Sequence, residues 1–255
     1  MTRDTARRAL EIFREDGIAE LFKSSLDRIV PSEIYYKAQT EKNVFINDVR
    51  YECPADPYNT IHVDSNRITH LVKERSITEG VSSGYPVSKP RFGGLGQIRG
   101  GDWRKTMQVA DFNEHWVKQG FLQRFVHGMD WCDTAIYEMG TVTPDELSKY
   151  DRIYDSIKKE GYKEGHRGAK PGERYVKLKN KLEPQVIIDN NGEFILWDGK
   201  HRVAICQILN YNIPVHVLCR HKQWQEARDD IYKNGFTEEY DDELRNHPDL
   251  QDILD

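Results

Sequence analysis

The sequence predicts an α+β fold, and three observations carry that prediction. Residues 184–219 read as a hairpin, a helix and a further strand; residues 111–126 and 143–160 place apolar residues at the helical period; and residues 43–75 alternate short apolar runs with turn residues. At 255 residues the chain is long enough to bury a core without covalent staples. The expected organisation is N-terminal helices and short strands over 1–90, a helical region over 91–160, an αβ domain over 161–235 and an acidic tail over 236–255.

Over residues 4–30, Ala6, Ala9, Leu10, Phe13, Ile18, Leu21, Phe22 and Leu26 follow the helical spacing, and Gly17 interrupts them, which predicts two short amphipathic helices. The opposite face mixes Arg7, Arg8 and Arg14 with Glu11, Glu15 and Asp16, a balance that favours packing on the protein's own domain over a membrane surface. Next come Val44-Phe45-Ile46, Ile61-His62-Val63-Asp64 and Ile68-Thr69-His70-Leu71-Val72, separated by Pro54, Pro57 and Asn59; short strands joined by turns are expected. Between Gly80 and Gly101 glycine, proline and serine crowd the chain, marking a long ordered loop or a boundary. A phosphate loop is not expected there, since the Gly-x-x-x-x-Gly-Lys-Ser/Thr pattern is lacking.

From Asp111 the pattern turns helical, with Phe112, Trp116, Phe121, Leu122, Phe125 and Val126 forming a stripe that Gly128 ends, and a second helix starts near Trp131. Thr143-Pro144-Asp145-Glu146 is a helix start with a capping threonine, proline at the first helical position and a glutamate placed to close a capping box; Gly161 stops that helix. Trp103, Trp116 and Trp131 could shape a pocket against the C-terminal domain, although aromatic residues at such spacing more often belong to a core. Pro184–Asp189 is a strand, Asn190-Asn191-Gly192 a tight turn, and Glu193–Trp197 the returning strand. A helix carrying Val203, Ala204, Ile205, Ile208 and Leu209 follows and ends at Asn210; Ile213–Cys219 is the next strand, and Trp224–Tyr232 a closing helix.

Composition bounds the function classes. With 38% hydrophobic and 31% charged residues the chain reads as soluble and globular, and no run approaches the roughly 20 apolar residues of a membrane span. Met1-Thr2-Arg3-Asp4 does not open a secretory signal, so a cytoplasmic location is expected. Cys53, Cys132, Cys206 and Cys219 are scattered and predict reduced thiols rather than a zinc ribbon or disulfides. The net charge of −5 gives no overall attraction to nucleic acid, but residues 163–181 carry a local excess of five positive charges; a solvated linker is the favoured reading and a phosphate-contacting surface the alternative. Residues 237–255 hold eight acidic residues against Arg245, read as a solubilising end.

The segment that could carry chemistry is Asp198-Gly199-Lys200-His201-Arg202, where a strand ends and a helix begins. Unpaired backbone N–H groups and the helix dipole attract an anion there, and Lys200 and Arg202 add positive charge where the dipole alone would favour acidic residues. An anionic ligand, or an internal carboxylate such as Asp198, accounts for those cations; the structural alternative is a helix capped by Asp198, with Gly199 easing the turn. Arg220, just past the next strand, is expected to flank the same pocket, and His221 to be an exposed strand-end residue. Strand alternation separates His216 from Cys219 and His221, so no metal site is expected.

The stretch FILWDGKHRVAICQILNYNIPVHV, Phe194 to Val217, resembles the core of the ParB/sulfiredoxin superfamily, with a match covering about residues 182–222. The resemblance implies a ParB/sulfiredoxin-like αβ domain that binds nucleotide phosphates or places a reacting group at this helix start. Lys200 stands where sulfiredoxins carry their reactive cysteine, which argues against sulfinic acid reduction. It also replaces the glutamate of the Gly-Glu-Arg-Arg motif of chromosome-partitioning members, which argues against CTP hydrolysis. The nearest pattern is the Asp-Gly-His-His-Arg of the superfamily's free serine kinases. That implies a phosphotransferase with His201 as base, Lys200 and Arg202 neutralising phosphate, and Asp198 serving magnesium; Glu183 is the candidate second carboxylate. The expected catalytic residues are thus Asp198 and His201, and the expected ligand-binding residues Gly199, Lys200, Arg202 and Arg220, with a nucleotide or phosphorylated small molecule, with or without magnesium, as ligand. The alternative is a non-enzymatic ParB-like module for nucleic acid or a protein partner.

Overall fold

A computed structural model describes residues 32–72, 95–102, 109–139, 143–163, 183–237 and 242–253. In chain order its elements are α1 (Ser32–Arg50), β1 (Thr60–Asp64), β2 (His70–Val72), β3 (Gln97–Arg99), β4 (Val109–Asp111), α2 (Trp116–Phe125), α3 (Ala135–Met139), α4 (Pro144–Glu160), β5 (Gln185–Ile188), β6 (Phe194–Asp198), α5 (Lys200–Leu209), β7 (Asn212–His221), α6 (Lys222–Asn234) and α7 (Asp242–Arg245). Short 3-10 turns lie at Ser65–Arg67, Trp131–Asp133 and Pro248–Ile253. The class is α+β, as predicted. Among the described residues no helix is long and apolar enough to cross a membrane.

The strands form one mixed sheet in the order β1-β7-β5-β6-β2-β4, with β3 pairing the far half of β7. β5 and β6 are the predicted antiparallel hairpin, β7 runs parallel to β5, and β2 runs parallel to β6. The sheet takes strands from both sides of residue 161, so the expected boundary there does not divide it. One face carries Val186, Ile188, Phe194, Leu196, Val215 and Val217 into a large core shared with α2, α4 and α5, where Phe121, Leu147, Ile157 and Val203 to Cys206 are buried. The other face buries Ile187, Ile195, Leu218 and Cys219 with Leu95. A register shift against β5 inserts one residue into β7, which lets the adjacent Leu218 and Cys219 join the same cluster despite strand alternation.

Several local predictions hold for visible reasons. At the start of α4, Thr143 Oγ1 accepts from Glu146 N at 3.3 Å, and Thr143 N donates to Glu146 Oε2 at 2.8 Å, closing the capping box. The β5–β6 turn is held by Asp189, whose Oδ1 accepts from Asn191 N and Glu193 N at 2.9 and 3.0 Å. Gly192 closes it at φ +86, and a Cβ there would lie 2.5 Å from the Trp224 ring.

Two expectations are corrected. Val44-Phe45-Ile46 is not a strand but part of the helix α1. That helix docks through polar groups: Thr40 Oγ1 accepts from Leu95 N at 3.0 Å, Asn43 Nδ2 donates to Leu95 O at 2.8 Å, and Asn47 Nδ2 to Gly96 O at 2.7 Å. Phe45 and Val49 are exposed instead, and the residues buried among those described are Thr40 and Asn47, which carry no apolar period. The acidic end is not only a solubilising tail either. Asp249 and Leu250 are buried, and residues 246–253 form a strap against β7, α6 and the β5–β6 turn. The predicted helices over 4–30, the glycine-rich stretch up to 94, Trp103 and the basic stretch beyond Lys163 lie outside the described residues.

The strap makes stability depend on pH. His247 is buried, with Nδ1 accepting from Asp249 N at 3.1 Å and Nε2 facing Gly192 O at 2.9 Å, a pairing that suits the neutral ring. Burial, aided by Arg67 and Arg228, outweighs Asp249 and lowers its pKa from 6.5 to about 4. The unfolded chain therefore binds this proton more readily than the folded one. The contribution of the neutral ring is complete above about pH 6.5 and is lost as the pH falls toward 4, a change of roughly 3 kcal/mol. Urea unfolding at pH 7 and pH 4.5 is expected to show the loss, and His247→Phe, which stays stacked on Phe194 without titrating, is expected to flatten the profile over that interval.

Candidate functional site

The β6–α5 junction is built on glycine. Gly199 adopts φ +94 and ψ 20, and a Cβ there would lie 2.8 Å from Pro184 Cβ and 2.9 Å from Pro184 Cα. A side chain is excluded twice, by conformation and by space. Because Pro184 precedes β5 directly, its backbone cannot yield cheaply. Gly199→Ala is expected to cost about 2–3 kcal/mol in urea unfolding, more than left-handed strain alone.

With Gly199 as N-cap, no side chain caps the first turn of α5, and that turn holds no acidic residue. Asp198, the helix cap of the structural alternative, instead accepts from Gly199 N at 2.8 Å through Oδ1. The helix therefore keeps its positive N-terminal end, with Lys200 and Arg202 beside it.

The three side chains after Gly199 go to different partners. Lys200 extends over the half-buried Trp116, its Nζ 5.0 Å from the ring centroid, and Trp116 in turn stacks on His115 at 5.1 Å. His201 stacks on Tyr150 of α4 at 4.7 Å and 19°, with Phe121 of α2 at 5.9 Å. Arg202 points into the protein, where Nη1 donates to Glu183 Oε2 at 3.0 Å and to Tyr162 OH at 3.1 Å. Tyr162 OH also donates to Glu183 Oε2, closing a triangle in which the Arg202 and Glu183 side chains are only 12% and 6% exposed. Burial, first of all, pushes the Tyr162 hydroxyl pKa up, so it remains a donor. One turn further on, burial raises the Cys206 thiol to about 12, which leaves it protonated and inert.

The structure thus gathers Asp198, Gly199, Lys200, His201 and Arg202 at one helix start, as sequence adjacency requires, but it does not bring Arg220 there. In the sheet register Gln185 faces both Asp198 and His216, whereas Ile188 faces Phe194 and Arg220. Arg220 lies four residues further along β7 than His216, about 13 Å at the usual strand rise. It sits at the other end of the sheet, bound to Asp249. His221 is buried rather than exposed; it caps α6 by accepting from Gln223 N at 3.2 Å and faces Gly101 O at 2.9 Å.

Three residues near the helix start were not placed there by sequence reasoning: Tyr162, Trp116 as the partner of Lys200, and His216, whose backbone N donates to Pro184 O at 2.9 Å. For Trp116 a signal existed, an aromatic residue proposed to face the C-terminal unit. Trp131, the second of that group, is a core residue against Phe121 and Phe125.

Chemically, this arrangement offers backbone N–H groups, one lysine ammonium on an aromatic face and one carboxylate whose Oδ1 is engaged locally. Glu183, the candidate second carboxylate, is neutralised by Arg202. Among the described residues no three of His, Cys, Asp and Glu converge on a common point where a metal could bind. No family model, curated protein or solved structure matches the chain.

Proposed function

We propose that the chain binds a phosphate-bearing ligand, a nucleotide or a phosphorylated small molecule, at the start of α5. The observation that supports this reading is the glycine N-cap: a ten-residue helix begins without a capping side chain or first-turn carboxylate, and with Lys200 at its first position. Dipole, backbone N–H groups and ammonium all favour an anion at that end. The resemblance of residues 182–222 to the ParB/sulfiredoxin superfamily, in which this helix start is the usual place for nucleotide phosphates or a reacting group, supports it further.

The residues present fit phosphate better than they fit a magnesium centre. Asp198 is the one carboxylate at the helix start among the described residues that is not ion-paired to Arg202, and its Oδ1 already accepts from Gly199 N. That favours the non-enzymatic alternative, a binding module, over a phosphotransferase using His201 as base. Magnesium-dependent turnover of a nucleotide, lost in both Asp198→Asn and His201→Gln, would establish the phosphotransferase instead.

The test of binding is thermal stabilisation by a panel of nucleoside triphosphates and sugar phosphates. A ligand that binds only the folded chain at a hundred times its Kd stabilises it by about 2.7 kcal/mol. One such ligand is expected to raise the Tm of the wild type, and Lys200→Ala to lose most of that rise while melting normally without ligand. A shift unaffected by Lys200→Ala would place the ligand elsewhere.

A further inference from the structure

The far end of the sheet holds a more completely built anion site than α5 does. There the Asp249 carboxylate receives Arg220 Nε at 2.9 Å on Oδ2 and Arg220 Nη2 at 2.5 Å on Oδ1, and Trp224 Nε1 at 2.8 Å on Oδ2; Arg228 Nη1 lies 3.4 Å from Oδ2. All four side chains are buried, Arg228 completely. The donors come from β7 and α6, and the carboxylate comes from the C-terminal strap. Burial alone would raise the Asp249 pKa, and the two guanidiniums outweigh it and hold it at about 2.

The donors exceed what this occupant uses. Arg228 engages Asp252 through Nη1 and Nη2 at 3.0 and 2.8 Å and also meets the Cys53 thiol, while its buried Nε has no nitrogen or oxygen acceptor among the described residues. A buried guanidinium N–H without an acceptor is costly. A carboxylate presents two oxygens, whereas a tetrahedral oxyanion presents more and suits a pair of arginine forks.

We propose that Arg220, Trp224 and Arg228 form a binding site for a phosphate group, which Asp249 fills in cis, so that the C-terminal strap competes with the ligand. The strap is a short segment, anchored by Leu250, by the rings around His247 and by its two aspartates, and it can open as a local unit while the sheet stays folded. Asp252, half exposed, is the part of the contact that water already reaches. The site is separate from α5.

The full-length wild type and Asp249→Ala are melted in inorganic phosphate and in chloride at matched ionic strength; an identical α5 in both proteins cancels any contribution from that end. Phosphate is expected to raise the Tm of Asp249→Ala by about 3–5 °C more than that of the wild type, and adding Arg220→Met is expected to remove the difference. Equal shifts in the two proteins, an adventitious ion only, overturn the proposal. A formate shift as large as the phosphate shift overturns the tetrahedral ligand. Should Asp249→Ala fold too poorly to melt, hydrogen exchange of the wild type decides: phosphate is expected to speed exchange of the Leu250 amide, which is bonded to His247 O, and unchanged protection overturns the competition.

Discussion

Asp249→Asn is expected to lower the unfolding free energy by about 3–5 kcal/mol at pH 7, the range for breaking a fully buried ion pair from one side. The asparagine keeps the size of the aspartate and one carbonyl oxygen, so packing around Leu250 and Trp224 changes little. What changes is charge. Arg220 and Arg228 are 4% and 0% exposed, and the Asp249 carboxylate faces both; without it Asp252, hydrogen-bonded to Arg228, is the carboxylate left beside them among the described residues. An amide nitrogen turned toward Arg220 would add a donor where donors are already in excess. Guanidinium chloride unfolding measures the effect, and Asp252→Asn provides the contrast. Its side chain is 50% exposed and Asp249 still faces the buried Arg228, so a smaller loss than that of Asp249→Asn is expected. Similar losses for the two variants would mean that the strap is held by its apolar contacts rather than by Asp249.

This ion cluster also shows where the sequence stops being legible. The C-terminal region from β5 to α6 could be read element by element because its local rules agree. Asn190-Asn191-Gly192 suits a tight turn, Gly199 permits a left-handed start, and Asn210 ends α5 at φ 56 as an asparagine can. Asp249, by contrast, reads as one acid among eight in a charged end, since composition cannot show that Arg220, 29 residues earlier, faces it across a buried contact. α1 was hidden for a different reason. A helix is recognised by the apolar stripe it buries, and α1 buries Thr40 and Asn47 while Phe45 and Val49 remain outside. β3 was hidden by length, because three residues in a glycine-rich stretch carry no period, and pairing with Cys219–His221 of β7 makes them a strand.

The candidate site divides along the same line. Its backbone features, the glycine at a strand-to-helix junction and the cations in the first turn, are written in five consecutive residues. What each cation does depends on residues far along the chain: Trp116 for Lys200, Tyr150 for His201, and Tyr162 and Glu183 for Arg202. Lys200 and Arg202 look equivalent as sequence, two basic residues on one turn. In the fold one lies across a half-buried indole and the other closes an internal triangle, so only Lys200 is suited to report on a ligand.

Arg202→Ala is accordingly expected to lower stability by about 3–5 kcal/mol whether or not any ligand is present, because it removes the Arg202 guanidinium from the Glu183 carboxylate, which is only 6% exposed. Tyr162 OH still donates to that carboxylate, but a neutral donor does not replace a guanidinium in a site that excludes water. The sharper experiment pairs the changes. Arg202→Met together with Glu183→Leu removes both charges and fills most of the volume, and replacing a buried ion pair by apolar side chains is often neutral or better. The double variant is therefore expected to unfold at nearly the wild-type denaturant concentration, well above Arg202→Ala. If the α5 start binds phosphate through its backbone and Lys200, that double variant is also expected to keep the ligand-induced rise in Tm within about twofold in affinity, a change of about 0.4 kcal/mol. Loss of binding in a stable double variant would instead make Arg202 a ligand contact, with Glu183 as the partner it leaves on binding. The same pair of measurements thus separates a cation that shapes the helix start from one that serves it.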